Sequence, residues 1–108
     1  MRNPDHIQLT LWGAGTARTL RPIWVAEELG LDYRLEPIGP RTGETETEDF
    51  TSLNPKQKIP FCEIGTVKLS ETVAICRYLV ARFGNAPGLS APQSIEEAAK
   101  EDEWLSFI

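Results

Sequence analysis

Asn54-Pro55-Lys56-Gln57-Lys58-Ile59-Pro60 runs into Phe61-Cys62-Glu63-Ile64, and beyond Gly65-Thr66 the chain continues Val67-Lys68-Leu69-Ser70-Glu71-Thr72-Val73-Ala74-Ile75. The reading of this stretch decides the fold. Residues 60–64 and 67–69 have strand character, and the Gly65-Thr66 pair between them is a tight turn, so the two form a hairpin. An Ile-Pro step ahead of a strand can hold a cis peptide bond, which leaves the amide and carbonyl of Ile59 facing a ligand. Ser70-Glu71-Thr72 opens a helix. Hydroxyls, a carboxylate and unpaired backbone N–H groups gather there, a set suited to an amino-acid zwitterion.

Upstream, Ile7 to Trp12 alternates apolar and polar residues as a strand does, and Gly13-Ala14-Gly15 breaks it. From Thr16 or Ala17 to Leu29 the spacing turns helical, with Leu20, Ile23, Trp24 and Glu27 on one row and Val25, Ala26 and Leu29 widening the apolar stripe. Pro22 belongs in the first turns, where a missing N–H costs least, and Gly30 is a natural stop. Tyr33 to Ile38 alternates again and predicts a second strand parallel to the first, in a right-handed βαβ unit. A polar loop with Gly39, Pro40 and Gly43 precedes a short helix at 48–53. Downstream, residues 71–83 form a helix burying Val73, Ile75, Cys76, Leu79 and Val80, and the Gly- and Pro-rich segment from Gly84 to Pro92 is a linker. Ser94 with Glu97 has capping-box spacing and starts a last helix, whose apolar end at Trp104, Leu105, Phe107 and Ile108 is expected to be covered.

A chain of 108 residues suffices for one compact domain with a real core. Its net charge of −5 argues against nucleic acid, which wants a basic face. The acidic runs at 44–49 and 96–103 are expected to be solvated faces. No apolar stretch is long enough to span a membrane and the N-terminus lacks a signal-peptide core, which together predict a cytoplasmic protein. Cys62 and Cys76 fit that compartment as buried free thiols, with no C-x-x-C pair and no neighbouring histidine to suggest a metal site.

The order β-α-β-α-β-β-α resembles the α/β thioredoxin-like fold with a four-stranded mixed sheet, in the form used by the N-terminal domain of glutathione S-transferases. Three stretches carry the likeness: Thr19 to Tyr33 with its Glu27-Glu28-Leu29-Gly30-Leu31-Asp32-Tyr33 exit, Leu53-Asn54-Pro55 through Ile59-Pro60, and Leu69 through Tyr78-Leu79. The resemblance implies a glutathione-binding domain over 1–84, a linker over 85–93, and at 94–108 the first helix of an all-helical domain that in the family supplies most of the electrophile pocket.

The resemblance also implies roles. The Glu71 carboxylate would meet the ammonium of the γ-glutamyl group and Thr72 would hold its carboxylate. Ile59 and Pro60 match the step whose backbone pairs with the cysteinyl part, with Gln57 and Lys58 near the glycyl carboxylate. Thr16 falls on the family's common serine position and is the candidate for stabilising the thiolate, with Thr19 behind it and Arg18 as a nearby charge. Arg21 and Trp24 are assigned to packing and the domain surface, and Trp12 to core or an interface. The activity implied is attack by glutathione thiolate on a small electrophile, without metal or redox cofactor. Two rivals remain: a non-enzymatic interaction module, self-associating as a homodimer or by domain swapping, and a glutaredoxin-like oxidoreductase, which would need a cysteine near Thr16 to Thr19.

Overall fold

The structure, a computed structural model, describes residues 8–84 and 89–107. Residues 1–7, residues 85–88 of the linker and Ile108 lie outside the described residues. Strands β1 (Leu9–Trp12), β2 (Tyr33–Glu36), β3 (Phe61–Ile64) and β4 (Val67–Ser70) form one sheet in the order β2-β1-β3-β4. β2 runs parallel to β1, while β3 is antiparallel to both β1 and β4. Helices α1 (Ala17–Glu28), α2 (Glu48–Leu53), α3 (Thr72–Phe83) and α4 (Ile95–Phe107) are the α-helices among the described residues, with a 3-10 turn at Glu44–Glu46 inside the first acidic run.

Register sorts the side chains by face. Leu9 lies opposite Ile64 and Leu11 opposite Cys62, and these four join Ala26, Leu29 and Leu31 of the first crossover and Ile75, Leu79 and Phe83 of α3 in the main core. Strand side chains alternate between faces, so Trp12 and its partner Phe61 project to the opposite side of the sheet. There they meet Phe50 of α2, with ring centroids 5.5 and 5.9 Å apart, and the Trp12 indole N–H donates to Glu63 Oε1 at 2.8 Å. Trp12 is therefore a packing residue, held by a hydrogen bond at its one polar atom.

The exit of α1 shows why Glu27 to Tyr33 reads as a unit. Gly30 N–H bonds Glu27 O at 3.0 Å and Leu31 N–H bonds Ala26 O at 3.0 Å, the paired closure of a Schellman motif. The Tyr33 hydroxyl donates back to Glu27 Oε2 at 2.7 Å. At the start of the helix the sequence stripe needs correction. The buried face is Thr19, Pro22 and Ala26, followed by Leu29, whereas Leu20 and Trp24 are 54% and 61% exposed. Helical spacing alone admits either row. Contacts made by Thr19 rotate the helix to the first. In α3, likewise, Ile75, Leu79 and Phe83 are the buried residues, and Val73 is 39% exposed.

α4 is capped by Ser94, whose hydroxyl accepts from Glu97 N at 3.1 Å, and Glu97 reaches back to the amide of Gln93. Arg77 of α3 ties it down through Asp102 at 2.7 Å. Its apolar end is exposed rather than covered: Trp104 is 63% and Phe107 80% exposed. No helix among the described residues is long and apolar enough to cross a membrane.

Both cysteines are free. Burial pushes the Cys62 thiol up to about 12, with Glu63 adding to the effect, and burial pushes Cys76 up to about 11 against the opposing charge of Arg21. Thiolate is the nucleophile, so folding suppresses both thiols. Iodoacetamide labelling of the native chain near pH 8 is expected to run at least about 100-fold slower than in urea-unfolded chain. Raising the pH above 9 should hurt stability, because the unfolded thiols then ionise while Cys62 keeps its proton until about 12. Labelling followed by mass spectrometry checks the first, and urea midpoints across that pH range the second.

Candidate functional site

Three loops and helix starts converge at one end of the strands, where Trp12, Glu36, Phe61 and Ser70 lie in register. Beyond β1, Gly13 N–H bonds Glu36 O at 2.8 Å and Ala14 N–H bonds Ile38 O at 3.0 Å, so the turn into α1 is held against the exit of β2. Gly13 has φ +117, and a Cβ built there would lie 2.8 Å from both Ile59 Cβ and Thr19 Cγ2. The backbone at Gly13 is thus wedged between the start of α1 and the loop before β3, where only glycine fits. Gly15 also has a positive φ, +90, but open space where its side chain would be.

Thr16 caps α1 in a reciprocal box with Thr19. Its Oγ1 accepts from Thr19 N at 3.1 Å, while its own N–H donates to Thr19 Oγ1 at 3.1 Å. The Thr19 hydroxyl also bonds the Thr16 carbonyl at 3.0 Å and lies 3.0 Å from the Thr16 hydroxyl. One turn on, Pro22 is the sixth residue of α1, so the carbonyl of Arg18 has no helical N–H to accept. The Thr72 hydroxyl fills the gap, donating to Arg18 O at 3.2 Å. A side chain at the start of α3 thereby completes α1.

Thr72 is the first residue of α3, preceded by Glu71 with φ 80 and ψ 127 and no side-chain cap. A bulky acid in this conformation is strained by about 1–3 kcal/mol, and such strain collects at ligand sites. The Ile59–Pro60 bond is cis. Among the described residues no intrachain hydrogen bond engages the amide or carbonyl of Ile59. Asn54, buried, holds the loop from inside by donating to Lys58 O at 2.9 Å.

Lys58, Ile59, Pro60, Glu71 and Thr72 come together with Arg18 around one cavity of about 180 Å³. Thr16 does not line it, and neither does Gln57, whose side-chain amide donates to Thr51 Oγ1 at 3.0 Å. Lys56 is a residue that sequence reasoning passed over: its ammonium donates to Ser70 Oγ at 2.9 Å and lies 3.8 Å from Glu71 Oε2. No local pattern marks a lysine between Pro55 and Gln57 as a partner for a residue fifteen positions on. Arg18 had a detectable signal, since Pro22 four residues later leaves its carbonyl open.

Residues 7–81 match the family model described as glutathione S-transferase, N-terminal domain. Glutathione S-transferase 1 of Zea mays is 34% identical over 98 residues, which is 90% of this chain and 45% of the relative. A glutathione S-transferase-like protein of Aspergillus terreus is 29% identical over 94% of this chain and 45% of its own length. The theta class enzyme of Xanthomonas axonopodis pv. citri, solved with glutathione bound, superposes with a TM-score of 0.81 at 34% identity, covering 92% of this chain and 47% of that one. The chain spans about half the length of the relatives it matches.

Replacing Gly13 by Ala is expected to destabilise the chain by about 2–4 kcal/mol, since strain at positive φ adds to overpacking against Ile59 and Thr19. Gly15→Ala, with strain but no collision, should lose only about 1 kcal/mol. Urea unfolding of the two variants side by side checks the difference.

Proposed function

The chain belongs to the glutathione S-transferase family, and on that premise we propose that it binds glutathione at the cavity walled by Arg18, Ile59 and Glu71 and presents the sulfur to an electrophilic carbon. The observation that carries this reading is a strained acid at the first turn of α3, facing a loop whose Ile59 amide and carbonyl are unpaired. That pairing suits a peptide carrying its own zwitterion. The Glu71 carboxylate takes the γ-glutamyl ammonium in exchange for Lys56, and the Thr72 N–H with the helix dipole takes the carboxylate. Ile59 adds two backbone bonds to the cysteinyl unit. Lys58 meets the glycyl carboxylate, and Gln57 would reach it by giving up Thr51.

The thiol must lose its proton to solvent before it reacts, and the thiolate is then held by a hydroxyl donor and positive charge. Thr16 is the donor in this reading. Its oxygen can go on accepting from Thr19 N while its proton turns to the sulfur, so helix capping and thiolate stabilisation coexist. Arg18 supplies charge. The S–C bond then forms as the leaving group departs with its electron pair, or as a double bond accepts a proton from water. Neither route passes through an enzyme covalent intermediate. The glutaredoxin-like alternative finds no support, because both cysteines are held as thiols and neither lies at residues 15–19.

A second reading rests on the exposed rings of Trp104 and Phe107, packed edge to face with centroids 6.0 Å apart. They suit self-association of two copies through α4. Sedimentation velocity should then show a dimer that a Trp104→Glu, Phe107→Glu variant converts to monomer, and a monomeric parent chain sinks that reading.

Calorimetric titration with glutathione tests the first. Saturable binding is expected, at least about tenfold weaker in Glu71→Ala, Thr72→Ala, where charge-assisted bonds are lost. Thr16→Ala should lower the ultraviolet absorbance of bound thiolate and Thr16→Ser restore it. A folded chain that binds no glutathione would refute the proposal for this domain by itself.

A further inference from the structure

Glu71 is the one acid among the residues that wall the cavity of about 180 Å³, and it already has a cation. The Lys56 ammonium lies 3.8 Å from its Oε2, although Lys56 itself does not wall the cavity. The root of Lys56 is fixed by Asn54. That buried side chain accepts from Lys56 N at 3.3 Å and donates to Lys58 O at 2.9 Å, while the Asn54 carbonyl accepts from Gln57 N at 2.9 Å. One turn therefore places both the Ile59 wall of the cavity and the lysine that reaches its acid.

The two contacts of the Lys56 ammonium are unequal. At 2.9 Å it donates a hydrogen bond to Ser70 Oγ, whereas 3.8 Å to Glu71 is attraction between charges without a hydrogen bond. An ammonium has three donors, so Ser70 keeps hold of Lys56 after Glu71 has turned away. Both partners are largely exposed, 60% and 65%, and an ion pair of that kind shifts an equilibrium by about two- to fivefold. Glu71 makes no capping bond to its own helix, so its carboxylate is held there by Lys56 and not by backbone. The other charged residues on the wall, Arg18 and Lys58, are both cations. An ammonium entering the cavity can pair with Glu71 alone, and there it meets the like charge of Lys56.

We propose that Lys56 is a specificity-determining residue, an internal counter-ion that competes with the ammonium of the bound thiol for Glu71. Binding of an amine-bearing ligand then exchanges one ammonium for another, and the gain from that amine is reduced by what Lys56 gives up. A ligand without the amine leaves the Lys56–Glu71 pair intact. Lys56 thereby sets how strongly the site distinguishes aminated from deaminated thiols. The proposal rests on the glutathione reading and names a residue that touches the ligand only through Glu71.

The test is calorimetric titration of the whole chain with glutathione and with glutaryl-cysteinyl-glycine, which has every group of glutathione except the ammonium. The readout is the ratio of the two affinities. Lys56→Gln is expected to widen the preference for glutathione by about two- to fivefold, and high salt to shrink that change. Lys56→Arg, which returns a charge, should bring the ratio back toward the parent's. In a Glu71→Gln background, Lys56→Gln should leave the ratio unmoved. Circular dichroism confirms that each variant folds. A lysine that merely attracts anionic ligands would weaken both alike on substitution, so a constant ratio overturns the proposal. So does a ratio that narrows, since Lys56 would then be holding Glu71 ready for the amine. A parent chain that binds neither ligand takes the glutathione reading down and this proposal with it; one that binds both with the ratio unmoved by Lys56→Gln overturns this proposal alone.

Discussion

The close approach at Gly13 governs how the rest of the molecule is arranged. A side-chain-free backbone there lets the end of β1, the first turn of α1 and the loop before β3 occupy neighbouring space, with Ile59 and Thr19 on either side. Thr19 is 1% exposed because it is drawn into this contact and into its box with Thr16. Its burial sets the rotation of α1 and decides which residues of that helix enter the core. The same rotation leaves Arg18 on the wall of the cavity it shares with Ile59 and Glu71. Packing and the candidate chemistry therefore have a common origin.

Much of the fold was legible from residue order. The alternation in Leu9–Trp12 and Tyr33–Glu36, the Gly65-Thr66 turn, the Gly30 stop and the Ser94 cap are local signals, and each has its expected element in the structure. The orientation of α1 was not legible, because Leu20 and Trp24 have the same helical spacing as Pro22 and Ala26. Tertiary contacts at Thr19 break that tie. The apolar end of α4 was expected to be covered on the rule that large exposed patches find partners, and within these described residues nothing covers it.

The site divides along the same line. Lys58, Ile59, Pro60, Glu71 and Thr72 could be named in advance because each sits in a short motif, and they share one cavity. Gln57 shared the motif but bonds Thr51, since its backbone, at φ 55, belongs to a turn closed by Asn54. Lys56 reaches Ser70 and Glu71 across the β3–β4 hairpin, and nothing in its flanking residues encodes that. Arg18 could be named beforehand as a nearby charge, but the hydroxyl that its carbonyl accepts exists only once α1 and α3 are side by side.

Pro22 gives α1 an open carbonyl that α3 closes through a single hydroxyl. That bond is a shared fastening: without the Thr72 hydroxyl, a peptide carbonyl one turn into the neighbouring helix is left open. A change at residue 72 is therefore felt in a helix to which residue 72 does not belong.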